Sequence, residues 1–278
     1  MKRTIALLLA LLLAFVFVGC QQQEPQSATA TDESWTKVEQ AGELIMGMDD
    51  AFPPMGYVDE QTGELIGFDL DIAKEVGSRL GIDIKFQAIE WNNKEMELNN
   101  GQVDCLWNGF SKTPERDEAL NLSIPYMQNH QIILVKKDSE YQNLADLAGK
   151  RLGVQEDSSA EDALDSSVEF KNSLAEIVPV DDYAKAVLEI ENGLIDAIAI
   201  DEVVAKFYVN KSPDAYRILT DENGEMASLA VEDYVIGFRK ADNALKEKIE
   251  ETLREMAKDG KLAEISKQWF GEDVTTVE

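Results

Sequence analysis

The sequence predicts an α/β fold of two lobes with mainly parallel sheets, and three observations carry that reading. Short apolar runs of strand length alternate with helical stripes almost throughout the chain. The pattern starts afresh after Tyr126, as a second set of strand–helix units would. About 240 residues follow a polar leader, which is room for two domains of ordinary size.

Leu44 to Met48 is a short apolar strand, and Tyr57 to Ile66 turns over at Thr62-Gly63. Asp69 to Leu80 carries Ile72, Val76 and Leu80 on one helical stripe, with Gly81 just past its end. Ile82, Ile84, Phe86 and Ala88 alternate with polar residues, a short helix occupies Lys94 to Leu98, and Val103 to Leu106 is a buried strand. After Tyr126 come strands at Ile132 to Val135, Arg151 to Val154 and Ile177 to Val180, a helix from Tyr183 to Glu191 ended by Gly193, and the strand Ala197 to Ile200. The last elements are the strand Tyr234 to Phe238, the charged helix Asn243 to Lys258, a break at Gly260 and a helix carrying Leu262, Ile265 and Trp269. Spacing alone does not assign these final helices to a lobe.

The N-terminus has the charge order of an export signal. Lys2 and Arg3 precede an apolar run from Ile5 to Gly19, short of the roughly 20 residues a membrane helix needs. It ends Val18-Gly19-Cys20, as a lipobox does, with Phe17 where Leu is preferred. Residues 1–19 are therefore expected to be a lipoprotein signal peptide and Cys20 the lipidated first residue; an uncleaved anchor is the alternative. Either places the protein outside the cytoplasmic membrane. Residues 20–34 are too polar to bury anything and form a tether, so the folded part is expected to begin near Trp35.

The only other cysteine, Cys105, sits in an apolar run and is expected to be a small core residue. With His130 as the single histidine there is no Cys/His cluster, and neither metal nor cofactor is implied. The chain has 54 acidic and 26 basic residues, and loss of Lys2 and Arg3 takes the formal charge from −28 to −30. Nucleic acid is a poor partner for such a surface.

In open α/β sheets ligands bind beyond the carboxyl ends of strands. Asp49 and Phe52 follow the first strand, Phe52 being a core residue in the alternative reading. Trp91 follows Ile89 and is equally suited to core packing. The run Trp107 to Arg116 has Asn108, Gly109 and Ser111, then Thr113 as N-cap, Pro114 at N1 and Glu115 at N2 of a helix. Arg116 in that first turn opposes the helix dipole, so a nearby anion would account for it; a surface pair with Glu115 or Asp117 would also. Gln155, Ser158 and Ser159 follow the strand ending at Val154, where a serine is also a natural N-cap. Asp201 follows Ala197 to Ile200 and suits an ammonium partner, or caps the next helix.

These segments together resemble the polar amino-acid solute-binding proteins of bacterial ABC transporters, family 3. The resemblance rests on GMDDAFPPMGY, GELIGFDLDIAKEVGSRLGI, GQVDCLWNGFSKTPER with IPY after it, LAGKRLGVQ, GLIDAIAID and LREMAKDGKLAEISKQWFG, in this order. It implies a two-lobed periplasmic-binding-protein-like fold of type II with two hinge strands and a ligand cleft between the lobes. Lobe 1 would be residues 35–131 and 235–278 and lobe 2 residues 132–234, with crossings near Gln131 and Tyr234. Arg116 would bind a ligand α-carboxylate, helped by Ser111 and backbone at Asn108 or Gly109, and Asp201 the α-ammonium. Phe52 and Trp91 would sandwich the side chain, Asp49 would face its polar end, and Gln155, Ser158 and Ser159 would close over the carboxylate. Asp157 stands where many members have Gly, and Trp107 and Asn108 are bulkier than is common there.

The implied partners are a free amino acid, an ABC permease with its ATPase, and the lipid anchor, with the protein a monomer. Asp49 and Asp50 at the pocket mouth favour basic or amide side chains over glutamate. A cyclohexadienyl-dehydratase-like enzyme on the same fold is the alternative, with Glu156 or Asp157 as acid, but no nucleophile, base and orienting partner stand together.

Overall fold

The computed structural model describes residues 32–278, so the signal, Cys20 and most of the tether lie outside the described residues. In chain order the helices are α1 Ser34–Ala41, α2 Phe68–Leu80, α3 Lys94–Asn99, α4 Pro114–Ala119, α5 Ser159–Ser166, α6 Val168–Ser173, α7 Tyr183–Glu191, α8 Glu202–Lys211, α9 Asn243–Asp259 and α10 Lys261–Phe270. The strands are β1 Glu43–Met48, β2 Ala51–Phe52, β3 Gly56–Val58, β4 Leu65–Ile66, β5 Asp83–Ala88, β6 Cys105–Ser111, β7 Asn121–Leu122, β8 Met127–Lys136, β9 Arg151–Gln155, β10 Glu176–Val180, β11 Ala197–Asp201, β12 Tyr216–Ile218 and β13 Ser228–Phe238.

One sheet runs through the molecule in the order β10-β9-β11-β8-β13-β6-β1-β5. Its outer pairs, β1 with β5 and β6 and β9 with β10 and β11, are parallel, as strand–helix–strand units require. Its centre is antiparallel, because β8 and β13 pair with each other and then with β11 and β6. The expected mainly parallel sheets are thus joined into a mixed one by two long strands. Sequence pattern shows only the ends of those strands, Ile132 to Val135 and Tyr234 to Phe238, because the crossing carries polar residues such as Asn129, Gln131, Glu232 and Asp233 that read as loop. The strand expected at Val103 to Leu106 extends instead to Ser111, since β13 offers it a partner (Tyr234 opposite Ser111, Val235 opposite Phe110).

Folding begins slightly before Trp35. Asp32 accepts from the N–H groups of Ser34 (2.9 Å) and Ala244 (2.7 Å), and Ser34 Oγ accepts from Leu245 N at 3.0 Å. The C-terminal helices return to the first half of the sheet. Trp269 Nε1 donates to Asp71 Oδ2 at 2.9 Å, and Phe270 packs edge-on against Phe68 with centroids 5.0 Å apart. Cys105 is a free, fully buried core residue.

Helix α2 packs closely on β5 because Gly77 lets it. A Cβ there would lie 2.7 Å from Ile84 Cγ1 and 2.8 Å from the Ile82 carbonyl oxygen. Alanine would gain helix propensity, about 1 kcal/mol over glycine, but backbone cannot give way as a side chain does, and overpacking costs roughly 1–3 kcal/mol. Gly77→Ala is therefore expected to lower the urea midpoint with an unchanged slope.

Candidate functional site

The Thr113 start of α4 forms as the sequence predicts: its side chain accepts from Arg116 N at 3.2 Å with Pro114 at the first helical position. The Arg116 side chain turns inward rather than pairing with Glu115 or Asp117. It is 5 % exposed, lies 4.5 Å over the Phe110 ring, and donates to the carbonyl oxygens of Ser111 (Nη1, 2.9 Å) and Asp157 (Nη2, 3.2 Å). Burial lowers its affinity for the proton. Among the described residues it forms no ion pair with a carboxylate.

Asp201 ends β11 before α8, yet its carboxylate makes no cap to that helix. It is 3 % exposed and accepts from Asn129 Nδ2 (2.7 Å), Gln131 Nε2 (2.8 Å), Tyr234 OH (2.7 Å) and Tyr183 OH (3.3 Å). Burial, then repulsion from Glu232, raises its pKa, and the donors work against both.

Asp49 and Gln155 meet across the two halves of the sheet, with Gln155 Nε2 donating to Asp49 Oδ2 at 2.8 Å. Asp49 also accepts from Ala51 N at 2.8 Å, and burial still pushes it up to about 6. Asp50, its supposed companion, is exposed, so the ligand preference argued from the pair rests on Asp49 alone. Phe52 is buried against Tyr183 with centroids 5.7 Å apart, and Trp91 packs edge-on against Phe110 at 6.0 Å. Both are 8 % exposed or less and pack within core clusters, as the alternative reading of each expects.

Ser158 is the N-cap of α5, accepting from Glu161 N at 3.4 Å and donating to the Gln155 carbonyl at 2.8 Å. Ser159, one residue on, has Oγ 3.1 Å from both Ser111 Oγ and Glu232 Oε2, two acceptors for its one hydroxyl hydrogen. Asn108 and Gly109 lie inside β6 rather than beyond it. Asn108 Oδ1 accepts from Asp49 N at 3.2 Å, and its amide nitrogen faces Gly56, where an added Cβ would sit 2.6 Å away. Trp107 is fully buried, edge-on to Tyr126. The bulk at these two positions therefore faces the core of the first half.

Gly109 has φ +55°, and a Cβ there would come within 2.7 Å of Phe52 Cε1. It is held by Asp69, whose Oδ2 accepts from Gly109 N (2.8 Å) and Tyr126 OH (3.0 Å). Asp157 is the one non-glycine with positive φ among the described residues, at 56°. Its carbonyl takes Lys94 Nζ (2.8 Å) as well as Arg116, and its carboxylate pairs with the same lysine. An aspartate tolerates the left-handed region better than most residues, and these partners hold it there.

Sequence reasoning missed Asp69, Lys94, Phe110, Asn129, Tyr183 and Glu232. Lys94 and Glu232 carry no local signal, since each acts through a partner far along the chain. Asp69 stands in the GFD run two residues after Gly67, a weak hint.

The profile of the family "Bacterial extracellular solute-binding proteins, family 3" matches residues 44–272. The arginine-binding extracellular protein ArtP of Bacillus subtilis is 31 % identical over 97 % of this chain and 98 % of its own. The L-cystine-binding protein TcyA of the same organism is 28 % identical over 95 % and 94 %. An ABC uptake transporter substrate-binding protein from Streptococcus pneumoniae with bound histidine superposes with TM-score 0.83 at 36 % identity, covering 89 % of this chain and all of that one. The chain belongs to this family of extracytoplasmic solute-binding proteins, whose two-lobed fold it shares. Relatives and structural neighbours are transporter binding proteins and not enzymes, which removes the dehydratase alternative. No helix among the described residues is long and apolar enough to cross a membrane.

Burial pushes Asp69 up to about 7 from its ordinary 3.8, although Gly109, Tyr126 and Trp107 favour its charged form. A carboxyl with a raised folded pKa contributes stability that is complete below the unfolded pKa and is lost as pH rises through the folded one. Asp69 is therefore expected to make the protein less stable at pH 8 than at pH 5. Asp69→Asn, which cannot ionise, should show a smaller difference between those two pH values in thermal melts.

Proposed function

We propose that this protein captures a polar amino acid, with basic or amide side chains preferred, between its two lobes and delivers it to an ABC permease and its ATPase. One observation carries the reading: Arg116 is a buried guanidinium whose hydrogen bonds go to carbonyl oxygens alone. A buried cation without an anion costs several kcal/mol, and the α-carboxylate of an amino acid would supply the missing partner in bidentate form. Asp201, deeply buried and surrounded by neutral donors, would receive the α-ammonium.

In this assignment Ser111, backbone at Asn108 or Gly109, Ser158 and Ser159 surround the carboxylate, Phe52 and Trp91 flank the side chain, and Gln155, expected over the carboxylate, joins Asp49 at the far end because it bonds to that acid. Asp49 supports the basic preference, because a carboxylate made reluctant to ionise by burial regains its charge most readily beside a guanidinium or ammonium. The arginine- and glutamine-binding relatives and the histidine-bound neighbour fall in that class, whereas the cystine-binding relative does not. We assign residues 35–131 and 235–278 to lobe 1 and 132–234 to lobe 2, so that β8 and β13 cross between them. Contacts made to both lobes would favour the closed state, which a permease reads.

Arg116→Ala is expected to weaken binding by about 2 to 5 kcal/mol, measured by titration calorimetry. Unchanged affinity would sink the site assignment. A thermal-shift screen of the standard amino acids and L-cystine should show the largest shifts with basic or amide ligands; shifts with acidic amino acids alone would overturn the preference.

Outside the membrane, the protein would work as a monomer anchored through an acylated Cys20 and the tether to residue 34, which would raise the concentration of binding lobes near the permease. Mass spectrometry of the mature N-terminus is expected to find an acylated Cys20. An unprocessed Met1 would show that Phe17 blocks cleavage.

A further inference from the structure

Glu232 lies on β13, opposite Asn129 of β8, where the two long strands cross. A single carboxylate oxygen, Oε2, accepts from Ser111 Oγ at 2.6 Å, Gln131 Nε2 at 3.0 Å and Ser159 Oγ at 3.1 Å. The donors come from three places. Ser111 ends β6 in the first half of the sheet, Ser159 opens α5 in the second, and Gln131 is on the crossing strand β8. All three donors are themselves buried, at 6 % exposure or less. A hydroxyl 2.6 Å from a carboxylate is at the short, charge-assisted end of the range, where one bond is roughly twice as strong as a neutral one.

Gln131 explains how this acid tolerates Asp201 as a neighbour. Its amide nitrogen carries two hydrogens and reaches three acceptors, Asp201 Oδ1 at 2.8 Å, Glu232 Oε2 at 3.0 Å and Ser159 Oγ at 3.1 Å, the two shortest being the carboxylates. The amide is a spacer that keeps two like charges apart while satisfying both. Glu232 therefore stands one residue away from the ammonium site and touches the two serines assigned to the carboxylate site.

We propose that Glu232 is a positioning residue for amino-acid capture: by gathering the Ser111 and Ser159 hydroxyls onto one oxygen it aligns the two sides of the cleft in the register that the ligand needs. The inference rests on the binding reading above. Glu232 acts through the serines and not by touching the ligand, so its removal loosens the alignment and leaves Arg116 and Asp201 in place. The position contributes affinity without contributing a ligand contact.

Glu232→Gln keeps the size and removes the charge. Titrated with L-arginine, or with L-histidine or L-cystine where the wild-type chain prefers one of them, it is expected to bind about 10- to 100-fold more weakly, the size of one or two lost charge-assisted bonds. The melting temperature without ligand should change little, whereas the ligand-induced contraction seen by small-angle X-ray scattering should shrink. Ser159→Ala should cost less affinity in the Glu232→Gln background than in wild type, the difference being the link that both changes break, while the serine's own ligand contact is lost in either background. Glu232→Asp, which keeps the charge on a shorter stem, should fall between, and it takes over the test if the Gln variant does not fold. Wild-type affinity for Glu232→Gln would overturn the inference, and so would tighter binding, which would mean that Glu232 competes with the ligand for the serines. Arg116→Ala run in parallel separates the two failures: if it alone loses binding, the site reading stands and only the role of Glu232 falls.

Discussion

The burial of Asp201 is the constraint on which the polar centre of the strand crossing depends. A carboxylate at 3 % exposure must be neutral or well bonded. Here four donors meet it: Asn129 and Gln131 from one crossing strand, Tyr234 from the other, and Tyr183 from the start of α7. The crossing is thus a polar assembly as much as a connection between sheet halves. Any shift of β8 against β13 would move donors and acceptor apart, so the pairing register of the crossing strands and the state of the acid are tied together.

Asp69 repeats the device within the first half of the sheet. It too is buried beside a tyrosine, and it too shapes backbone, holding Gly109 in the left-handed conformation that brings β6 against Phe52. Two buried acids therefore organise two different parts of the sheet, one by receiving side-chain donors and one by fixing a main-chain bend. Each is raised in pKa for the same reason, loss of water, and each keeps part of its charge through hydrogen bonds.

The buried cations are arranged differently. Arg116 and Lys94 both reach the Asp157 carbonyl, and Lys94 also lies 5.4 Å from the Trp91 ring. Two like charges share that peptide because the Asp157 carboxylate neutralises one of them. Neither lysine nor aspartate is a strong local signal in a chain with a charge of −28; their meaning comes only from being brought together.

By itself the sequence determined the alternation of strands and helices, the capped start of the helix carrying Arg116, and the order of polar residues at strand ends. All of these follow from local periodicity and capping chemistry, which act over a few residues. It could not show that β6 continues through Ser111, that the crossing strands begin at Met127 and Ser228, or that Asn108 faces Gly56 rather than the cleft. Those features depend on partners more than fifty residues away: β13 for β6, and β1 and β3 for Asn108. Lys94 with Asp157, and Glu232 with Ser111 and Ser159, belong to the same class. Hydrogen bonds and ion pairs between distant segments leave no periodic trace in the chain, so only the tertiary structure decided which polar residues are buried together and which partners they meet.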